Sequence, residues 1–126
     1  MNAITEQIIA AAIDVHCELG PGMLESAYEA CLASELMRRS LGVERQKPLP
    51  LVYRHQTLDC GYRVDLLVAG EVIVEVKALE RLERVHAAQL LSYLRFSGCK
   101  VGLLINFNVK WLLDNGLRRV VNGFPE

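Results

Sequence analysis

The sequence predicts an α/β fold: a mixed central β-sheet flanked by helices, in the order helix, helix, strand, strand, strand, helix, strand, with a short C-terminal element. Three observations lead there. Two segments before residue 41 repeat apolar residues at helical spacing, and between Leu58 and Ala78 the period falls to two on either side of a glycine turn. A further helical stretch then runs into Cys99 to Ile105, a nearly continuous apolar run of the kind found in strands covered on both faces.

Taken in order, Ile4, Ile8, Ala11, Ala12, Val15 and Leu19 predict an amphipathic helix over residues 3–19, capped by Asn2 or Thr5 and ended by Gly20-Pro21-Gly22. A second helix runs from about Met23 to Ser40, with Leu24, Ala27, Tyr28, Cys31, Leu32 and Leu36 on its apolar face. Glu25 falls in its first turn, where the helix dipole favours a carboxylate. Val43 to Tyr53 reads as a strand, placed at an edge or a bulge because Pro48 and Pro50 cannot donate to a ladder. Arg54-His55-Gln56 turns it into the central hairpin. After that hairpin, a helix from about Glu83 to Ser97 ends at Gly98. Its Ala87, Leu90, Leu91 and Leu94 form one stripe, with His86, Gln89 and Tyr93 on the far side and Phe96 nearby. The tail holds a short element at Val109 to Asp114, a turn at Asn115-Gly116, and a strand or helical turn at Leu117 to Val121.

The central hairpin carries the chemistry. On Leu58 to Val68 the even positions are apolar and most odd ones polar; on Glu71 to Ala78 the even positions are Val72, Val74, Val76 and Ala78. Each strand therefore has one apolar face, and Asp65, Glu75 and Lys77 lie on the other. Matching the apolar faces needs an odd loop, which Ala69-Gly70-Glu71 supplies with Gly70 at positive φ. Asp65 then stands opposite Glu75, with Lys77 two residues further along the same face. Two carboxylates about 4 Å apart repel by roughly 4 kcal/mol at an effective dielectric of about 20, so a cation belongs between them. Lys77 supplies one, and a hard divalent ion, which takes one or two carboxylates and keeps several waters, is another. The plain alternative is an exposed ladder of ion pairs worth little.

Composition bounds the rest. A chain of 126 residues, 52% of them hydrophobic, fits one domain over 1–126 with one core and excludes a disordered chain; the same apolar content is compatible with a homo-oligomer. Cys17, Cys31, Cys60 and Cys99 show no C-x-x-C spacing, so reduced and mostly buried thiols in a cytoplasmic protein are expected, without structural zinc. No apolar run approaches a membrane span. The net charge of −1 is unevenly spread: residues 1–37 hold six acids and no Lys or Arg. Arg38, Arg39, Arg45, Lys47, Arg54 and Arg63 then follow, as a phosphate track or as ordinary mixed surface charge.

With these elements in place, Val64-Asp65 followed by Glu75-Val76-Lys77 resembles the motif of the PD-(D/E)XK superfamily, with Val64 where the proline usually stands. Gly22-Met23-Leu24-Glu25-Ser26-Ala27-Tyr28 is similar to the signature of the GxxExxY proteins assigned to that superfamily, and Gln89-Leu90-Leu91-Ser92-Tyr93 resembles the QxxxY motif of its RecB-type exonuclease branch. The likeness runs from Ile4 to about Gly123.

The resemblance implies a restriction-endonuclease-like core and metal-dependent phosphodiester hydrolysis, as a DNA nuclease or nuclease-related protein. On that reading Asp65 and Glu75 hold Mg²⁺ or Mn²⁺ with the main-chain carbonyl of Val76, and Glu25 contributes directly or through water. Lys77 positions water or neutralises developing charge, while Gln89 and Tyr93 steady substrate or Lys77. Nucleic acid is the implied partner, its type open. Two other classes fit the same residues: a catalytically inactive module of this fold that binds nucleic acid or a protein, and a structural or oligomerisation domain with Asp65, Glu75 and Lys77 tied up in ion pairs.

Overall fold

The computed structural model describes residues 2–123. Two helices, α1 (Ala3–Leu19) and α2 (Glu25–Arg38), precede β1 (Val43–Pro48), β2 (Leu51–Tyr53), β3 (Gln56–Leu58), β4 (Arg63–Val68) and β5 (Val72–Lys77). Then come α3 (Arg84–Ser97), β6 (Val101–Asn106), the short α4 (Leu112–Asn115) and β7 (Leu117–Val121). Five strands form one sheet in the order β1-β4-β5-β6-β7, while β2 and β3 pair separately. Among the described residues only β5 and β6 run parallel, with α3 as the crossover between them. The result is the expected mixed sheet flanked by helices.

Alternate residues of β5 feed two apolar layers. Val72, Val74 and Val76 pack with Ile8 and Ala12 of α1 and with Tyr28 and Leu32 of α2. Ile73 packs on the opposite side with Leu90, Tyr93 and Leu94 of α3. The strand is thus covered on both faces, and Glu75 on it is buried rather than wet. The run in β6 behaves as its composition predicts: it lies between β5 and β7, with Gly102 to Asn106 buried.

Local chemistry sets the boundaries. The Asn2 side chain accepts from the Ile4 amide at 2.7 Å and starts α1. Glu83 and His86 form a reciprocal cap on α3, so His86 serves the helix end rather than a site, and Gly98 at φ 80° closes it. The three-residue loop of the central hairpin is as expected: Val68 pairs with Val72, with Ala69 at φ 55° and Gly70 at φ 66°.

Several boundaries differ from those read in the sequence. The alternation from Leu58 to Val68 is not one strand, because the Asp59 carboxylate accepts the Gly61 amide at 2.9 Å and Gly61 sits at φ 80°. The chain bends there, leaving β3 outside the main sheet. Val43 to Tyr53 likewise splits at Leu49-Pro50, and Arg54-His55 closes a small β2–β3 hairpin rather than the central one. The prolines do mark an edge, since β1 is an outer strand. Leu117 to Val121 resolves as a strand. Tyr93, read on the far side of α3 from Leu90 and Leu94, is instead buried with them in the second apolar layer. The cysteines are free thiols but not mostly buried: Cys17, Cys31 and Cys60 are exposed and Cys99 is half-buried. No helix among the described residues is long and apolar enough to cross a membrane.

Candidate functional site

Asp65 lies where two ladders open at once. Between β4 and β5 the regular pairing ends at Leu66 with Val74. At the next position side chains replace it: the Asp65 amide donates to Glu75 Oε2 at 2.9 Å, and the Val76 amide donates to Asp65 Oδ2 at 2.8 Å. Between β1 and β4, Arg45 pairs with Leu66 and Lys47 with Val64, but Gln46, opposite Asp65, drops out at φ 51°. That left-handed conformation is uncommon for a residue with a side chain and belongs to sites where surroundings force it. Here it delivers Gln46 Nε2 to Asp65 Oδ1 at 3.2 Å and to both Glu29 oxygens at 2.9 and 3.1 Å.

Glu29 is the acid that sequence reasoning missed. It is 7% exposed and also accepts from Arg45 Nε at 3.3 Å. It follows Tyr28 on a helix read for its apolar stripe, yet it lies one helical turn after Glu25, on the same face. That spacing was the available signal.

The electrostatics follow from crowding. Glu75 is 5% exposed, which removes it from the exposed-ladder reading. Burial, and next the charge of Asp65, push its carboxyl up to about 8. Asp65 is raised too, by burial first and also by Glu29, against the Val76 amide that favours its anion. Lys77 is half-buried and favours ionisation of both carboxylates, but it is in no salt bridge among the described residues. Arg45 answers Glu29, which leaves Asp65 and Glu75 with Lys77 as their one nearby cation and a demand for further positive charge.

Glu25 is brought to the same end of the sheet. Its Oε2 accepts from the Ala78 amide at 3.3 Å, one residue beyond Lys77. The local sequence explains the placement. The Tyr28 hydroxyl donates to the Gly20 carbonyl and accepts from the Met23 amide, while its ring stacks on Phe107 at 4.6 Å. Gly22, at φ 99°, donates its amide to Asn108 Oδ1 at 3.1 Å. Asn106, fully buried, holds the Leu79 amide at 2.9 Å and the Leu79 carbonyl at 3.0 Å. Gly22, Glu25 and Tyr28 are therefore a loop latch that aims α2 at the end of β5.

Tyr93 belongs to the site's wall. Its phenol is pushed up to about 12, by burial and next by Glu75, so it stays protonated and can donate a hydrogen bond. Gln89 is exposed and lines a groove with Tyr93; no hydrogen bond ties it to Asp65 or Glu75. The basic track is partly consumed within the chain: Arg39 pairs with Asp14 and Glu35, Arg45 with Glu29 and Lys47 with Glu44.

No group of three or more His, Cys, Asp and Glu residues is arranged as a metal cluster among the described residues. The site is instead a pair of carboxylates, Asp65 and Glu75, each holding a backbone amide and facing the other. That donor set fits Mg²⁺ or Mn²⁺, which accept one or two carboxylates and fill the remaining positions with water.

Buried Glu75 facing half-buried Asp65 at the parting of a mixed sheet, with a lysine two residues on, is the site of this α/β core. The chain belongs to the PD-(D/E)XK nuclease superfamily, whose sequence model matches residues 2–120. Nucleases of that superfamily generally use divalent metals, and membership suggests nuclease-type action on nucleic acid. No curated protein and no solved structure matches the chain significantly.

Proposed function

We propose that this chain hydrolyses phosphodiester bonds in nucleic acid, with Mg²⁺ or Mn²⁺ held by Asp65, Glu75 and the Val76 carbonyl, and that it is a GxxExxY-type protein. The observation that carries the reading is buried Glu75 facing half-buried Asp65: burial, and next the charge of Asp65, raise Glu75 to about 8, and the pair calls for a cation. When bound, such an ion lowers the pKa of a water and stabilises charge on the phosphate.

The chain's own residues do the rest. Lys77 offers its ammonium to the oxygen on which negative charge develops. Tyr93, protonated, donates to a phosphate oxygen or steadies Lys77, and Gln89 orients substrate at the groove. Glu25 holds the outer water shell from the α2 end. Glu29 and Gln46 fix the Asp65 rotamer.

A second reading rests on one observation: both carboxylates already hold backbone amides, and a proton on Glu75 removes their mutual repulsion without metal. That reading is an inactive module binding nucleic acid or a protein. Labelled single- and double-stranded DNA incubated with Mg²⁺ or Mn²⁺ separates the two. Cleavage lost in Asp65→Ala and Lys77→Ala supports hydrolysis; cleavage equal in wild type and both variants refutes it.

A further inference from the structure

A groove of ≈ 370 Å³ runs beside α3, bounded by Leu51, Tyr62, Val85, Ser92, Tyr93 and Phe96. Its aromatic edges are open: Tyr62 is 41% and Phe96 46% exposed, and Tyr62 meets Tyr93 edge-on at 5.9 Å. Tyr53, 61% exposed, stands on the adjoining β2 strand with the Arg54 guanidinium over its ring. Open aromatic rings beside a cleft are unusual on a surface that only meets water.

Charge selects among occupants. The segments that form the groove, residues 51–63 and α3, carry Arg54, Arg63, Arg84 and Arg95 against a single acid, Asp59, in a chain whose net charge is −1. The Asp59 carboxylate is engaged by the Gly61 amide. Apolar walls on segments of net positive charge match a strand whose bases are unpaired and whose phosphates stay outside, because every base has a face that stacks on an aromatic ring. A duplex keeps those faces covered. The groove also borders the strand of the carboxylate pair, since Tyr93 lines it and shares an apolar cluster with Ile73 of β5, two residues before Glu75.

We infer that this groove takes the unpaired bases of single-stranded nucleic acid and leads that strand to Asp65 and Glu75, so that the substrate is a single strand or a frayed end. The inference rests on the hydrolytic reading for the fate of the strand, but binding tests it separately. Anisotropy of a labelled oligothymidylate and of a labelled blunt duplex, measured with chelator so that nothing is cleaved, reads the groove alone. Wild type binds the single strand at least tenfold more tightly than the duplex. Tyr62→Leu and Phe96→Leu, which keep apolar volume, each weaken single-strand binding about tenfold, whereas Tyr62→Phe retains it.

Circular dichroism confirms that the variants fold. Equal binding of single strand and duplex, or leucine variants that bind as wild type does, overturns the inference even if metal-dependent cleavage is intact. So does a wild-type dimer that Phe96→Leu dissolves, which assigns the groove to a second copy. Groove binding without cleavage in any divalent metal leaves the inference standing and removes the hydrolytic reading.

Discussion

The Asp65 amide donates to the Glu75 carboxylate at 2.9 Å, while the Asp65 carboxylate takes the amide of the residue after Glu75. The two acids are locked into one place by the backbone of the opposite strand. Position is secured, but charge is not: neither amide cancels the repulsion between two anions in a buried setting.

That imbalance makes metal-free stability depend on pH. The Glu75 carboxyl is raised from 4.5 to about 8, so between those values the unfolded chain sheds a proton that the folded chain keeps. Stability is full below the lower value, is lost as pH rises toward the upper one, and is flat beyond it. The shift of Asp65 adds in the same direction. Urea unfolding with chelator, at about pH 5 and about pH 8.5, should show a loss on the order of a few kcal/mol at the higher pH. Glu75→Gln should flatten most of that slope. A wild type equally stable at both pH values would contradict the burial of a like-charge pair.

Gln46 should matter more to activity than to stability. Gln46→Gly relieves a left-handed φ of 51° but deletes the link from Glu29 to Asp65. The backbone gain of roughly 1 kcal/mol and the lost hydrogen bonds of similar size should nearly cancel. Metal-dependent cleavage should fall about tenfold or more as the Asp65 rotamer loosens. Unchanged cleavage in a folded variant would remove Gln46 and Glu29 from the site.

Tyr28→Phe keeps the ring stack on Phe107 and removes the hydroxyl that ties Gly20 to Met23. The Met23 amide and Gly20 carbonyl lose that partner, at a cost of about 1–2 kcal/mol. Because the same loop aims Glu25 at Ala78, the variant should also bind Mn²⁺ more weakly. Thermal unfolding and metal titration read the two effects separately; a lower Tm with unaltered metal affinity would detach Glu25 from the site.

Gly102 seats α3 against the sheet. A Cβ there would stand 2.8 Å from Leu90 Cδ1 and 3.0 Å from Leu90 Cγ. Gly102→Ala should therefore destabilise by about 1–3 kcal/mol, as overpacking does. It should also shift Tyr93 on the same helix. Chemical denaturation, with activity assayed well below the transition, tests this; an alanine variant as stable as wild type would mean that Leu90 has room to turn away.

The hairpin was legible because Asp65, Glu75 and Lys77 share one face of a period-two pattern, and because the parity of Ala69-Gly70-Glu71 forces the two acids opposite each other. What the alternation could not reveal is that both faces of β5 are covered, since that depends on α3 returning over Ile73. For the same reason Tyr93, placed by angle on the far side of α3, is buried in one cluster with Leu49, Val64 and Ile73. Glu29 was overlooked because its helix was read for its apolar stripe rather than for the i,i+4 acids Glu25 and Glu29, and the left-handed Gln46 has no signature in side-chain chemistry. The bend at Gly61 sat inside an unbroken alternation, where only a glycine two residues after an aspartate hinted at it.

Calorimetric titration of Mn²⁺ into wild type, Asp65→Asn and Glu75→Gln most directly tests whether the two facing carboxylates share an ion. Wild type should take up Mn²⁺ with affinity that rises as pH climbs toward 8, and each amide variant should lose that uptake while staying folded. Wild-type affinity retained in both variants would place the ion elsewhere and contradict the account.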